Sequence, residues 1–315
     1  MTPEQLTYLV FGIVLVIALI VDLGLLSKKS TTVSIKKALW QTIFWVSLAF
    51  GFFVFLWFED GQLIAVEYLS AYLMEWSLSI DNIFVFILIF SFFGITEKYY
   101  ARVLLIGIMM AVVLRILFIT IGIELISRFH WLLYVFGVVL LYTGIKMFTA
   151  KHDEEQNLEK NKVYKFLLRF LPITNENADG RFTLVKSGKR YYTNMFVVII
   201  MLATTDIIFA LDSIPAVFAI SQRPMVIYTS NIFAVLGLRS LFFLLKGAVN
   251  KFAYLQQGIA LVLVFIGLKM LAEIINIRVP VYISLLVILV CIIASILYSV
   301  NKVKEEEDEI RDIIR

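Results

Sequence analysis

The chain alternates long apolar runs with short polar connections. An apolar run of about 20 residues can cross a bilayer as a helix, and a helix satisfies its backbone hydrogen bonds internally where no water is present. Nine runs have about this length, so the pattern predicts an all-α polytopic membrane protein with about nine transmembrane helices. The runs cover residues 6–26, 39–58, 65–93, 101–126, 130–149, 194–220, 225–246, 252–275 and 279–300.

Composition agrees with this prediction and limits the chemistry. Hydrophobic residues make up 61% of the 315 residues, against roughly 45–50% in soluble domains. The net charge of +4 is small and most basic residues lie in loops between the apolar runs, so we expect no nucleic-acid partner. Because Cys291 is the single cysteine, neither an intrachain disulfide nor a thiolate cluster is available, and a metal site would use oxygen ligands, which favours hard cations such as Mg²⁺, Ca²⁺ or Mn²⁺.

Lysine and arginine residues gather in alternate loops. One side of the membrane receives the central loop together with Lys28, Lys29, Lys36, Lys37, Lys98, Arg102, Lys246, Lys251, Lys302 and Lys304. The opposite side receives Arg128, Arg223 and Arg278. Since loops rich in Lys and Arg stay cytoplasmic, we expect the N-terminus outside and the C-terminus in the cytoplasm.

Four carboxylates interrupt the apolar runs at matched positions. Glu75 and Asp81 are six residues apart (81 − 75), and so are Asp206 and Asp212 (212 − 206). A charge at the bilayer centre costs several kcal/mol, from roughly 2.5 to above 10, so it persists mainly where it has a function or a partner. The polar residues Asn82, Ser213 and Thr205 stand close to these acids in the sequence and could supply neutral oxygens.

Further matches identify two repeats around the central loop. Leu114-Arg115-Ile-Leu-Phe aligns with Leu238-Arg239-Ser-Leu-Phe, and Gly144-Ile-Lys146-Met aligns with Gly267-Leu-Lys269-Met. Each repeat has three spans, an odd number, so the halves must insert with opposite orientations, as in many secondary transporters whose sites lie near the midplane. The predicted organisation is two peripheral helices (1–64), the first repeat (65–149), a cytoplasmic basic loop (150–192), the second repeat (193–276), and a last helix with an acidic tail (277–315).

Helix geometry restricts how the four acids can meet. Antiparallel packing about the helix midpoints would bring Glu75 level with Asp212 and Asp81 level with Asp206. Six residues separate these levels by about 9 Å and rotate the side chain by roughly 120°. We therefore expect either two stacked half-sites or helices that are unwound at the acids. Pro215 removes a backbone donor and favours a break in the second repeat.

A structural role for the acids stays open beside the metal site. Four bases could neutralise them as buried ion pairs: Arg115, Arg239, Lys146 and Lys269. The two arginines lie deep in their spans and could hold a carboxylate or replace a cation. The two lysines lie toward span ends, where their charged heads are expected to reach the membrane surface. In the central loop, Arg181–Val185 before Ser187-Gly188 favours a short hairpin, with a solvated linker as the alternative.

Glu75-Trp-Ser-Leu-Ser-Ile-Asp81-Asn82 and Asp206-Ile-Ile-Phe-Ala-Leu-Asp212-Ser213-Ile-Pro closely resemble the two motifs of the TerC family of integral membrane proteins. The paired arginines and the Gly-x-Lys-Met elements fit the same family, over about 65–275, and the nine-span layout looks most like its Alx branch. The resemblance implies a manganese exporter related to the LysE-like transporters. It also implies that Glu75, Asp81, Asn82, Asp206, Asp212 and Ser213 form the acidic site.

From the residues and the resemblance together we expect Mn²⁺ export across the bacterial inner membrane by alternating access. The ion is the expected cargo, no organic cofactor is expected, and the absence of a nucleophile–base motif argues against an enzyme. A carrier of Ca²⁺ or another divalent cation is the alternative within transport. A second alternative is a non-transporting partner that delivers metal to secreted enzymes or scaffolds a metal or tellurite stress complex. The basic loop and the acidic tail would then dock accessory proteins or a second copy of the chain.

Overall fold

The structure is a computed structural model that describes residues 3–26, 33–149, 165, 166, 169, 171–174, 180–186, 188–246, 255–277 and 279–314. Within these ranges, the side chains of residues 3, 4, 22–26, 81, 84, 149, 212, 255, 300 and 303–314 are outside the description.

Long helices occupy the predicted apolar runs. Nine lie within the described ranges: α1 (Pro3–Leu26), α2 (Ile35–Glu59), α3 (Gln62–Phe92), α4 (Tyr100–Arg128), α5 (Leu132–Thr149), α6 (Asn194–Ile220), α7 (Pro224–Leu245), α8 (Leu255–Ala272) and α9 (Val281–Ile314). Seven of them contain a stretch long and apolar enough to cross a membrane, and the apolar parts of α1 and α5 are shorter. The chain is therefore a mostly helical polytopic membrane protein, and the count of nine spans stays a prediction.

A small sheet adds to the predicted all-α fold. Its strands are β1 (Ile173–Thr174), β2 (Thr183–Lys186) and β3 (Lys189–Thr193), in the order β1-β3-β2. The antiparallel β2–β3 pair confirms the hairpin predicted in the central loop. Its turn contains Gly188 at φ 74°, a conformation that glycine adopts without steric cost. Arg102 anchors the neighbouring segment to the start of α4, because its Nη1 donates to the carbonyl of Gly180 at 3.1 Å.

The helix bundle has a buried centre and an apolar outer surface. Almost every residue of α7 is buried, and α7 packs against α2, α3 and α4. The outward faces of several helices expose apolar side chains at helical spacing, for example Val113, Leu117 and Ile121 on α4 and Leu286, Val290 and Ile293 on α9. So large an exposed apolar area needs a lipid environment.

An aromatic cluster fixes the position of α7 relative to the N-terminal helices. The rings of Phe11 on α1 and Phe233 on α7 meet edge to face at 5.3 Å, and the Phe52 and Tyr68 rings meet in the same way at 5.3 Å. The Tyr68 hydroxyl also donates to the carbonyl of Ala49 at 3.3 Å. Since α3 carries both Tyr68 and Glu75, this cluster helps to hold the first acidic motif against α7.

Helices α5 and α8 approach each other through small residues. A Cβ added at Gly267 would lie 2.8 Å from the carbonyl oxygen of Gly137, and one added at Gly144 would lie 2.8 Å from that of Ala260. Small residues at a crossing allow two membrane helices to come into backbone contact.

The helix break predicted near Pro215 is wrong. Helix α6 continues from Asn194 to Ile220 with Pro215 inside it, and α3 is likewise continuous from Gln62 to Phe92. Membrane helices tolerate a proline where neighbouring helices stabilise the backbone, and α6 packs against α3, α4 and α5. The acidic motifs therefore lie on unbroken helices.

Candidate functional site

Arg115 joins the two halves of the chain at the middle of the bundle. Its Nη2 donates to Oδ1 of Asp206 at 2.8 Å and its Nε donates to Oδ2 at 3.2 Å, which is a two-pronged contact. Its Nη1 forms an ion pair with Oε1 of Glu75. Arg115, Asp206 and Glu75 each lie near the middle of α4, α6 and α3. The planar guanidinium suits this task because its donors form a fixed fork.

These three charged groups are shielded from solvent. Arg115 is 3% exposed, and Glu75 and Asp206 are each 1% exposed. Removing charges from water is costly, and the cost is offset only by close pairing and hydrogen bonds. Within this triad, counted as ionised groups, the two carboxylates exceed the one guanidinium by one negative charge.

Asn231 is a further member of the cluster that the sequence predictions omitted. Its Oδ1 accepts from Nη1 of Arg115 at 3.1 Å, and its Nδ2 donates to the carbonyl of Ile227 at 3.1 Å. The sequence carried a signal, because Thr229, Ser230 and Asn231 interrupt the apolar run of α7, and all three are 0% exposed. Adjacent polar side chains at membrane depth indicate a functional or packing role.

Several buried oxygen atoms lack a hydrogen-bond partner within the described part of the chain. They are Oε2 of Glu75, Oγ of Ser79 and Oγ of Ser213. Buried polar side-chain atoms usually have a partner, so each exception requires an explanation. Two of the three residues belong to the predicted site, and Ser79 lies between Glu75 and Asp81 on α3. Oxygens of this kind are suitable ligands for a hard cation.

Glu75 and Asp206 both reach one guanidinium, that of Arg115. Antiparallel packing about the helix midpoints placed these acids on levels about 9 Å apart. The long side chains of Glu75 and Arg115 allow both contacts to form between helices, and the separation of the levels stays a prediction.

The remaining predicted ligands are only partly described. The side chains of Asp81 and Asp212 lie outside the described residues. Asn82 is 2% exposed and Thr205 is 8% exposed, so both are buried beside the acidic motifs. Among the described side chains, no three of the His, Cys, Asp or Glu type come together as a metal-binding group. A site of four carboxylates would need Asp81 and Asp212, and it stays a prediction.

The predicted charge partners occupy different environments. Arg239 is 4% exposed on α7, which packs against α3, and Lys146 is exposed on α5. Lys269 was expected at the membrane surface but is only 6% exposed. Its ammonium group donates to the carbonyl of Ala219 at 3.1 Å and to Oγ of Ser284 at 3.0 Å. It lies inside because acceptors at the end of α6 and the start of α9 surround it.

A second polar cluster links the end of α6 to α3. Oγ of Ser221 donates to Oε2 of Glu67 at 2.6 Å, and Nε of Arg223 lies 3.5 Å from the same oxygen. Glu67 lies on α3 eight residues before Glu75 (75 − 67). These contacts fix the connection between α6 and α7 against α3, and no sequence motif predicted them.

Comparison with known proteins agrees with the motifs. The family model described as "Integral membrane protein TerC family" matches residues 60–307. An uncharacterized membrane protein of Myxococcus xanthus is 44% identical over 292 residues, which is 92% of this chain and 91% of that protein. Proteins named "Putative membrane-bound redox modulator Alx" are 42% identical in Salmonella typhi and 38% identical in Escherichia coli, each over 83% of this chain and 84% of the relative. No solved structure matches the chain. With a family model that covers most of its length, this chain belongs to the TerC family of integral membrane proteins.

Proposed function

We propose that this protein is a secondary transporter that exports Mn²⁺ across the bacterial inner membrane. The observation that carries the proposal is the pair of buried carboxylates Glu75 and Asp206, which lie in the middle of apolar helices and share one guanidinium. Ionisable residues at membrane depth are characteristic of ion pathways.

Oxygen ligands favour a hard divalent cation as the cargo. Glu75 and Asp206 supply carboxylates, and Ser213 supplies a buried hydroxyl that has no partner among the described residues. Asp81, Asp212, Asn82 and Thr205 complete the proposed ligand set. Mn²⁺ accepts such ligands, as do Mg²⁺ and Ca²⁺. The resemblance of the two motifs to the TerC family favours Mn²⁺, and Ca²⁺ is the second candidate within transport.

The packing supports two inverted repeats that rock around this site. Helices α3, α4 and α5 would correspond to α6, α7 and α8. If each helix of one repeat is replaced by its counterpart in the other, the observed α4–α6 packing corresponds to the observed α7–α3 packing. The α5–α8 and α3–α6 contacts each correspond to the same pair of helices, as symmetry requires. At α5–α8 this correspondence extends to single residues. Gly137 contacts Gly267 and Ala260 contacts Gly144, and one offset of 123 relates the two contacts (260 − 137 and 267 − 144). Alternating access in transporters commonly uses such repeats.

The proposal includes an orientation with the N-terminus outside and the C-terminus in the cytoplasm, which rests on the distribution of Lys and Arg. It excludes an enzymatic function and an organic cofactor. Transport would carry Mn²⁺ outward. In this orientation the basic loop and the acidic tail lie in the cytoplasm.

The names of the relatives suggest a different class of function. Relatives in Salmonella typhi and Escherichia coli are named putative redox modulators. This chain has one cysteine, Cys291, so exchange between a dithiol and a disulfide within one chain lacks a second thiol. A non-transporting partner that delivers metal to secreted enzymes, docking through the central loop and the tail, is the alternative to transport.

The decisive test is Mn²⁺ flux into proteoliposomes that contain the purified protein. We expect flux from the wild type and its loss in Glu75→Gln, Asp206→Asn, Asp81→Asn and Asp212→Asn. Glu124→Gln is the matched control, because Glu124 is an exposed acid on α4 that pairs with Arg128. Undiminished flux in the four variants would mean that the carboxylates are structural. No flux from the wild type, with Mn²⁺ or with Ca²⁺, would favour the partner protein.

A further inference from the structure

The guanidinium of Arg115 occupies the oxygen atoms that a divalent cation would need. It contacts Oδ1 and Oδ2 of Asp206 and Oε1 of Glu75, which are three of the four oxygens of these two carboxylates. We propose that Arg115 is a tethered cation that competes with the transported ion for Glu75 and Asp206. The inference rests on the proposed function and adds how the same site takes up and releases its cargo.

The geometry makes simultaneous binding unfavourable. A divalent cation would coordinate carboxylate oxygens at about 2.0–2.6 Å. The nitrogens of Arg115 lie 2.8 and 3.2 Å from the oxygens of Asp206, so an ion on those oxygens and the guanidinium would be two positive centres on the same carboxylate. Their repulsion is strong in a buried site of low dielectric constant. Ion binding therefore displaces Arg115 from at least one carboxylate.

Asn231 provides an uncharged hydrogen-bond acceptor for the displaced guanidinium. Its Oδ1 already accepts from Nη1 of Arg115, the same nitrogen that pairs with Glu75. The hydrogen bond from its Nδ2 to the carbonyl of Ile227 orients the amide so that Oδ1 faces Arg115. When Nη1 leaves Glu75, it keeps a hydrogen-bond acceptor on α7. Asn231 is thus a positioning residue that makes the exchange reversible.

The exchange also connects ion binding to helix movement. The guanidinium, carried by α4, contacts α3 through Glu75, α6 through Asp206 and α7 through Asn231. In the proposed repeats, α3 and α4 belong to one half and α6 and α7 to the other. Displacement of Arg115 by the ion removes contacts between the halves, and its return expels the ion and restores them. A competing internal cation lowers the apparent affinity of the site, because the ion binds only the fraction of molecules whose carboxylates are free.

The test is equilibrium binding of Mn²⁺ alone to the purified full chain in detergent, together with flux in proteoliposomes. We expect Arg115→Gln to bind Mn²⁺ about tenfold more tightly than the wild type or better, since removal of the competitor makes most molecules binding-competent. We also expect its flux to be slower, because nothing replaces the ion at release. Arg128→Gln is the matched control on α4, since Arg128 is exposed and pairs with Glu124 outside the site, and it should bind like the wild type.

Arg115→Lys keeps the test decisive if Arg115→Gln does not fold. A lysine retains the charge but lacks the fork that reaches two carboxylates, so its affinity for Mn²⁺ should lie between those of the wild type and Arg115→Gln. Equal or weaker binding in the folded Arg115 variants overturns the inference, because a merely structural arginine would not suppress binding.

The two proposals fail in different ways. Wild-type flux without a gain in affinity would overturn the competition and leave the transport proposal intact. A gain in affinity without wild-type flux would support the competition and overturn transport. If neither the wild type nor the Arg115 variants bound Mn²⁺, the inference would also be overturned, because carboxylates freed of their competitor should bind the ion.

Discussion

Arg115 and Asp206 form a two-pronged ion pair between α4 and α6, with Nη2–Oδ1 and Nε–Oδ2 distances of 2.8 and 3.2 Å. The residues are 91 positions apart in the chain, so this contact joins the segments on the two sides of the central loop. Glu75 shares the same guanidinium. A single side chain therefore joins α3, α4 and α6 near the middle of each helix.

The first prediction concerns the stability that this guanidinium provides. Arg115→Gln leaves two buried carboxylates without their counter-ion, and we expect a loss of about 3–5 kcal/mol in unfolding free energy. Arg128→Gln removes a surface pair whose partners are 70% and 60% exposed, and should cost about 0–1 kcal/mol. Thermal and denaturant unfolding in detergent measures both. Added Mn²⁺ should recover part of the Arg115→Gln loss, and equal losses in the two variants would contradict the buried pairing.

The second prediction concerns Asn231. Asn231→Leu keeps a similar volume but removes the acceptor for Nη1 of Arg115, and should destabilise the protein by about 1–3 kcal/mol. Ser230→Ala is the neighbouring control, since Ser230 is equally buried but its hydroxyl donates to the carbonyl of Ile227 in its own helix, at 3.3 Å. Unfolding in detergent should show a change within about 1 kcal/mol for the control. A larger loss in Ser230→Ala than in Asn231→Leu would show that Asn231 does not anchor Arg115.

The third prediction concerns the crossing of α5 and α8. A Cβ at Gly267 would lie 2.8 Å from the carbonyl oxygen of Gly137, so Gly267→Ala should force the helices apart and cost about 1–3 kcal/mol. Gly51→Ala is the control, because Gly51 lies inside α2 with nothing within 4 Å of its added Cβ. That variant should gain roughly 0.5–1 kcal/mol from the lower backbone entropy of alanine. A tolerated Gly267→Ala would contradict the close contact of these helices.

The fourth prediction concerns orientation. In a Cys291→Ala background, Ser34→Cys at the start of α2 and Gln62→Cys at the start of α3 place single thiols at exposed positions on opposite ends of α2. With the N-terminus outside, a membrane-impermeant maleimide should label Gln62→Cys in intact spheroplasts and Ser34→Cys only after permeabilisation. The reverse pattern would overturn the orientation derived from Lys and Arg.

Much of the architecture followed from local properties of the chain. Each long helix lies where an apolar run predicted one, because about 20 apolar residues in lipid satisfy their backbone hydrogen bonds by forming a helix. The hairpin β2–β3 followed from its turn residues in the same way. The two acidic motifs were recognisable because a charge inside an apolar run is costly and therefore informative. The family assignment came from these same motifs and is confirmed.

The arrangement of the site was decided by tertiary structure. Pro215 predicted a break in the second repeat, but α6 is continuous. Spacing placed Glu75 level with Asp212, and only the fold shows that the carboxylates of Glu75 and Asp206 both contact Arg115 on α4. Asn231 belongs to the cluster because it accepts a hydrogen bond from Arg115 on α4. Lys269 is buried because the carbonyl of Ala219 on α6 accepts from its ammonium group. The positions of the helices depend on each segment and its solvent, so the sequence by itself determined them. Which buried charges meet depends on the packing of helices far apart in the chain, and only the folded bundle fixes it.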